Sequence, residues 1–312
     1  RKPRAMSADR KLEARRRALE TRADILHATR AFFLSRDYLE VETPCRIPAP
    51  LPESHIDAVP SGTWWLQPSP ELCMKRMLAA GFRRIFQVSK CWRGGERGTR
   101  HLPEFTLLEW YRAGCDYRGL MPECEELFQY VSEALGIGSR MRFQGRAIDL
   151  ATPWERLTVD QAFERYASVS LKRALKEDRF EEILALEIEP RLGDPTPTLL
   201  HDYPLAFGSL ARRSRTHPEL AERFEIYIGG LELANGFSEL TDAEEQRRRF
   251  ERENEIRASR GRPSWPMPGK FLEAIPRMPE SAGIALGVDR MVMLFADAAS
   301  IDDVVAFAPE EL

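Results

Sequence analysis

Residues 92 to 111, Trp-Arg-Gly-Gly-Glu-Arg-Gly-Thr-Arg-His-Leu-Pro-Glu-Phe-Thr-Leu-Leu-Glu-Trp-Tyr, combine a cationic, glycine-rich loop with a run that alternates aromatic and acidic residues. An apolar run (Ile85, Phe86, Val88) precedes the loop, so the layout predicts a β-hairpin. Its tip has the chemistry to hold phosphates, and its return strand the chemistry to hold a base and an amine. Period-two alternation puts Phe105, Leu107, Glu109 and Tyr111 on one face and Thr106, Leu108 and Trp110 on the other. An ordinary core strand seldom carries an aromatic plate, a carboxylate and a phenol in one row.

Two further stretches carry chemistry. Phe224 to Ile228 and Leu231 to Asn235 read as strands joined by Gly229-Gly230, a strong hairpin signal. Such a turn pairs Ile228 with Leu231, Tyr227 with Glu232, and Glu225 with Ala234. Glu225 and Glu232 then share a face, where they repel unless the face is wet or a cation such as Mg²⁺ lies between them. In Ser281 to Phe295, a small-residue strand passes into an apolar helix, with Asp289 and Arg290 in its first turn. An arginine at the positive end of a helix dipole is locally unfavourable. It is explained either by pairing with Asp289 or by an anion, such as a nucleotide phosphate, in front of the helix.

The elements that must position these groups are legible in outline. Leu12, Leu19, Leu26 and Phe33, with Ile25 and Phe32, predict an amphipathic N-terminal helix over about residues 1–35 whose arginines face solvent. A strand through Tyr38, Leu39 and Val41 follows, then a proline-rich surface loop from 45 to 62 and a short strand at Trp64-Trp65-Leu66. Ser69 is a candidate N-cap, with Pro70 at the first position of a helix. Residues 120–136 and 158–190 read as helical and 190–204 as a connector. At 312 residues, 43% apolar and net charge −3, the composition is that of a soluble globular chain and gives no reason to invoke bulk nucleic-acid binding. The five cysteines are scattered and form no CxxC pair, which argues against a disulfide framework or zinc site and for the cytoplasm. No run approaches the length of a membrane helix.

Together these blocks resemble the three signature motifs of class II aminoacyl-tRNA synthetases, most closely the lysyl branch and its short paralogues that modify elongation factor P. Arg36 through Pro44 is similar to motif 1, Arg93 through Phe105 with its extension to Tyr111 to motif 2, and Gly283 through Arg290 to motif 3. Glu232 through Asp242 is also lysyl-like, and the match runs from about residue 25 to the C-terminus. The resemblance implies an α+β fold, a mostly antiparallel sheet flanked by helices, in a single catalytic domain that is usually a homodimer. About 145–205 would be a helical insertion. It implies ATP and Mg²⁺ as cofactors and the formation of an acyl-adenylate. Arg93 and Arg290 would be catalytic. Gly94, Gly95, Glu96, His101, Leu102, Phe105, Glu232, Leu233 and Gly287 would complete the ATP site, with Phe105 stacked on adenine and Arg290 on the γ-phosphate. Glu225 and Glu232 would hold the metal. Ser69, Pro70, Glu71, Tyr111, Asn235, Phe237, Glu239 and Ala285 would receive a lysine-like amino acid.

The same resemblance distinguishes tRNA charging from protein modification. The lysyl synthetases carry an anticodon-binding barrel before motif 1, and the roughly 35 residues here are too few for one. Ala285 replaces a glycine of the lysyl enzyme, as in the short paralogues, and its methyl would favour an amine on the β carbon. The expected activity is transfer of (R)-β-lysine to a lysine of elongation factor P, with tRNA and membranes not expected as partners. The chain also departs from its family: Gly95 stands where motif 2 has a glutamate, Glu96 follows one residue late, Leu102 replaces an asparagine and Asp37 a glycine. A truncated lysyl-tRNA synthetase core, a related amidating ligase, or a non-catalytic regulatory subunit are the alternative expectations.

Overall fold

The computed structural model describes residues 8–208 and 210–312, with side chains from residue 12 onward. The part of the expected N-terminal helix before residue 8 lies outside the described residues. Eight strands build the main sheet among the described residues: β1 (Leu39–Glu40), β2 (Arg84–Trp92), β3 (Glu104–Ala113), β4 (Glu155–Thr158), β5 (Thr198–Pro204), β6 (Leu220–Ile228), β7 (Leu231–Ser238) and β8 (Ser281–Gly287). Their spatial order is β1-β2-β3-β8-β7-β6-β5-β4. The central pairs are antiparallel, and parallel pairs β1/β2 and β4/β5 close the two edges.

The alternation along β3 sorts its side chains as the sequence predicts. Leu108 and Trp110 point into a core shared with α1 (Ala8–Leu34), α2 (Tyr117–Ala134) and α3 (Val288–Phe295). Phe33 of α1 stacks on Phe86 of β2 at 4.8 Å between ring centres and also meets Trp110. Truncating a buried aromatic of this kind costs about 3–5 kcal/mol, so this face fixes the sheet. The opposite face carries Glu109 and Tyr111 into a cavity.

Several expectations are revised. Only the second half of the predicted stripe on α1 is fully buried, at Ile25, Phe32 and Phe33, while Leu12 and Leu19 are half-buried. The segment 145–205 is not helical throughout. Its helices, Val159–Tyr166, Leu171–Lys176 and Phe180–Ile183, lie between β4 and β5, two strands of the main sheet, and pack with them into a separate apolar cluster. The stretch read as a connector therefore contains β5. Pro204 sits at its last residue, where a missing donor costs the ladder little. The loop 45–62 contains short strands at Arg46–Ile47 and Pro60–Ser61 that pair with Trp64–Leu66. Asp37, in place of a glycine, takes φ +60°, a conformation aspartate tolerates better than most residues.

Candidate active site

A cavity of about 150 Å³ opens on the free face of β3, β7 and β8. Ser69 and Glu71 enter it at the start of the helix Glu71–Ala79, Glu109 and Tyr111 from β3, Asn235 and Phe237 from β7, and Ala285 from β8. Arg93 stands at its rim, and Leu51 and Ile56 of the proline-rich loop cover it. That loop is thus part of the site and not only surface. The helix start is shifted by one residue from expectation: Pro70 is the N-cap residue and has no side-chain acceptor to cap the helix. Ser69 Oγ still accepts the Glu71 N–H at 3.1 Å. Pro70 does not line the cavity; Pro68 does.

Glu109, which alternation put on the ligand-holding face of β3 but the family resemblance did not assign to the substrate, dominates the floor. Its Oε1 accepts from Ser69 Oγ at 2.5 Å and its Oε2 from the Tyr111 hydroxyl at 2.8 Å. Burial, with Glu71 nearby, pushes its carboxyl up to about 7 despite those hydrogen bonds. Glu239 is fully buried behind Tyr111; burial pushes its carboxyl up, and the Lys75 ammonium against it opposes that shift. Gly283 is required here. A Cβ at that position would lie 2.3 Å from the Tyr111 ring and 2.6 Å from Glu239 Oε1. Lys75, which sequence reasoning missed, bridges Glu71 and Glu239 with its ammonium. Burial would lower its pKa, but the two carboxylates outweigh that and hold it charged. Only its i+4 spacing from Glu71 hinted at this role.

The nucleotide end lies between the β2–β3 loop and the start of α3. The Arg93 guanidinium lies over the Phe105 ring at 5.1 Å and reaches within 3.9 Å of Glu96. Gly95 adopts φ +77°, which glycine takes without strain, and the turn brings Glu96 back toward Arg93. The shifted acid of motif 2 thereby stands beside Arg93. The Gly94 N–H is committed to the Asp57 carbonyl at 2.6 Å, tying this loop to the proline-rich cover. Arg290 donates to the Glu232 carboxylate at 3.1 Å, to the Arg100 carbonyl at 3.2 Å, and meets His101 Nε2 at 2.7 Å. Burial and the neighbouring Arg290 lower the His101 pKa, which suits a neutral ring accepting that bond. Asp289 is not the partner of Arg290; it pairs with Arg22 of α1 at 2.7 Å. Gly287 is the N-cap residue of α3. Leu102 and Leu233, expected at the ATP site, pack in the core behind the sheet. Their side chains are almost wholly buried in apolar surroundings.

The predicted hairpin forms, but its register differs. Tyr227 pairs with Glu232 and Ile228 with Leu231 as expected, whereas a bulge pairs Glu225 with Asn235 instead of Ala234. The extra, unpaired residue of the bulge is Leu233 on β7, and period-two counting has no means of registering it. Glu225 is nearly saturated: Arg223 donates to Oε1 at 2.6 Å, and Tyr203 and Tyr227 donate to Oε2 at 2.5 and 2.7 Å. Arg223 also donates to Asn235 Oδ1 at 3.1 Å, linking the amino-acid and acidic ends. Glu189 adds a third carboxyl nearby, raised to about 7 by burial and by Glu225 and Glu232. No group of three or more metal-ligand side chains gathers among the described residues. Two carboxylates plus phosphate oxygens are nevertheless the usual protein share of a Mg²⁺ site. Glu232, 37% exposed and paired with Arg290, is the freer of the two, so the set fits that pattern through Glu232 first.

Residues 2–311 match the family described as tRNA synthetases class II (D, K and N). Curated proteins named elongation factor P--(R)-beta-lysine ligase from Enterobacter sp. (strain 638) and Salmonella gallinarum (strain 287/91 / NCTC 13346) are each 40% identical over 309 residues. That alignment covers 92% of this chain and 93% of each relative, and the Salmonella enteritidis PT4 protein of the same name matches equally. No helix among the described residues is long and apolar enough to cross a membrane. With its antiparallel sheet, its motif 2 hairpin and its Asp289-Arg290 helix start in place, the chain belongs to the class II tRNA synthetase family.

Proposed function

We propose that this chain activates a diamino acid, (R)-β-lysine in the first instance, as an acyl-adenylate and transfers it to a lysine side chain of elongation factor P. The observation that carries this reading is the buried acid set Glu71, Glu109 and Glu239 with the Tyr111 phenol, adjoining Arg93. Lys75 already pairs Glu71 and Glu239, whereas Glu109 has only the Ser69 and Tyr111 hydroxyls. A neutral amino acid leaves this floor of three acids short of cations, so the site rejects it by the cost of unpaired charge. The names of the similar ligases point to the same substrate and acceptor.

In the first step the substrate carboxylate attacks the α-phosphorus of ATP, and pyrophosphate leaves. A carboxylate is already ionised at neutral pH, so no base is needed and positioning carries the step. Arg93 neutralises charge between carboxylate and α-phosphate, its planar fork suiting two oxygens. Phe105 offers its face to adenine once the Arg93 guanidinium moves to the phosphates. Arg290 and His101 take the γ end. Glu232, with Glu225, would hold Mg²⁺, which neutralises developing phosphate charge. In the second step the acceptor amine attacks the acyl carbon and AMP leaves. Ala285, which lines the cavity beside Glu109, occupies the position where a methyl would crowd an α-amine. Pairing through motif 1 would make the active species a homodimer.

Incubating elongation factor P with the enzyme, ATP and (R)-β-lysine should add one lysyl mass to a single lysine, read by mass spectrometry. Transfer to tRNA with elongation factor P left unmodified would overturn the acceptor assignment.

A further inference from the structure

Arg22 stands outside the amino-acid and nucleotide sites, on α1, yet its fork closes a three-residue ring behind them. One terminal nitrogen donates to Asp289 Oδ1 at 2.7 Å and the other to Thr106 Oγ1 at 2.7 Å. The second Asp289 oxygen accepts the Thr106 N–H, also at 2.7 Å. Asp289 is almost wholly buried, so both its oxygens are committed within this ring.

The sequence neighbours of the ring give it meaning. Thr106 follows Phe105, the aromatic plate at one end of the nucleotide site, and Asp289 precedes Arg290 at the other. β3 and β8 are hydrogen-bonded neighbours only as far as the Leu107–Gly287 pair. Beyond that point the strand leading to Phe105 and the helix bearing Arg290 are free to diverge, and the ring spans the gap. Asp289 in the first turn of α3 is also favourable to the helix dipole, so the helix start is held by both charge and hydrogen bonds.

We infer that Arg22 is a positioning residue that fixes the separation of Phe105 and Arg290, and hence the fit of the site to ATP. This inference rests on the proposed activation of an amino acid by ATP. A purely structural brace would lower stability and affect both substrates alike; a spacer between the two ends of the nucleotide site would affect ATP selectively. A lysine cannot reproduce the ring, because it lacks the planar two-pronged donor.

The test uses the full chain. Titration calorimetry gives the Kd of a non-hydrolysable ATP analogue with Mg²⁺, and exchange kinetics give the KM for the diamino acid. For Arg22→Met the analogue Kd should rise about tenfold to a hundredfold, the range for losing a charge-assisted hydrogen bond, with the diamino-acid KM within about twofold of wild type. Arg22→Lys should fall between. Should Arg22→Met fail to melt cooperatively, Thr106→Val, which removes one arm of the ring, should show the same selectivity at smaller size. Equal changes in the two constants, or none in the analogue Kd, would overturn the inference. A wild-type enzyme that binds the analogue but activates no amino acid would instead refute the proposed function.

Discussion

The ammonium of Lys75 lies 2.5 Å from Oε2 of Glu239, and the two side chains are 2% and 0% exposed. Neither Glu239 oxygen makes a well-directed hydrogen bond, so the contact is chiefly ionic. The same ammonium bonds Glu71 one helical turn back. The protein thus supplies one cation of its own to a floor of three acids, leaving Glu109 with only Ser69 and Tyr111 for company.

Removing that cation strands two buried carboxylates. Lys75→Met should lower unfolding free energy by about 3 kcal/mol or more, the usual cost of breaking a buried pair from one side. Chemical denaturation measures it. Lys75→Met/Glu239→Gln should recover part of the loss, because one of the stranded charges is then gone. A single variant as stable as wild type would show that the pair is not ionised.

The raised carboxyls make both binding and stability depend on pH. Glu109, at about 7, is partly protonated near neutrality in the free enzyme. Affinity for a diamino acid should therefore rise between pH 6 and 8.5 as this group ionises. Stability of the free enzyme should move the other way. The folded state holds the Glu109 proton more tightly than the unfolded chain, so this stabilisation is complete below the unfolded pKa and is lost as pH rises through about 7. Thermal shifts on adding β-lysine should accordingly be larger at pH 8.5 than at 6. A shift independent of pH would place the amine elsewhere.

Gly283→Ala drives a methyl into the Tyr111 ring and Glu239. Exchange dependent on the amino acid should fall about a hundredfold or more, in line with displacing catalytic geometry by an ångström. The Kd of an ATP analogue should stay within a few-fold. Loss of both together would mean that the strand itself had moved.

Arg93→Ala should abolish adenylate formation while leaving the melting curve nearly unchanged, since the side chain is half-exposed and its contacts are weak ones: a long 3.5 Å bond to the Pro68 carbonyl, a 3.9 Å ion pair with Glu96 and the Phe105 ring. Retained pyrophosphate exchange would remove Arg93 from the mechanism.

Much of this site was legible because alternation along β3 and the Gly-Gly hairpin are local signals. The faces of Glu109, Tyr111 and Trp110 follow from period two alone. What escaped was non-local. Lys75 reads as a surface lysine on a short helix until Glu239, far along the chain, closes over it. Arg223 is an ordinary strand residue until the bulge brings Asn235 opposite Glu225. β5 was hidden by its flanking prolines, although Leu199 and Leu200 are both fully buried. Leu102 and Leu233 were placed by family position, and the apolar core claimed their side chains instead.

The most direct test of the account is ATP–pyrophosphate exchange measured with (R)-β-lysine, with α-lysine and with no amino acid. Exchange that requires a diamino acid and is faster with β-lysine is the predicted result. Exchange absent with both diamino acids, or equally fast with a neutral amino acid such as norleucine, would contradict the reading of Glu71, Glu109 and Glu239 as an ammonium site.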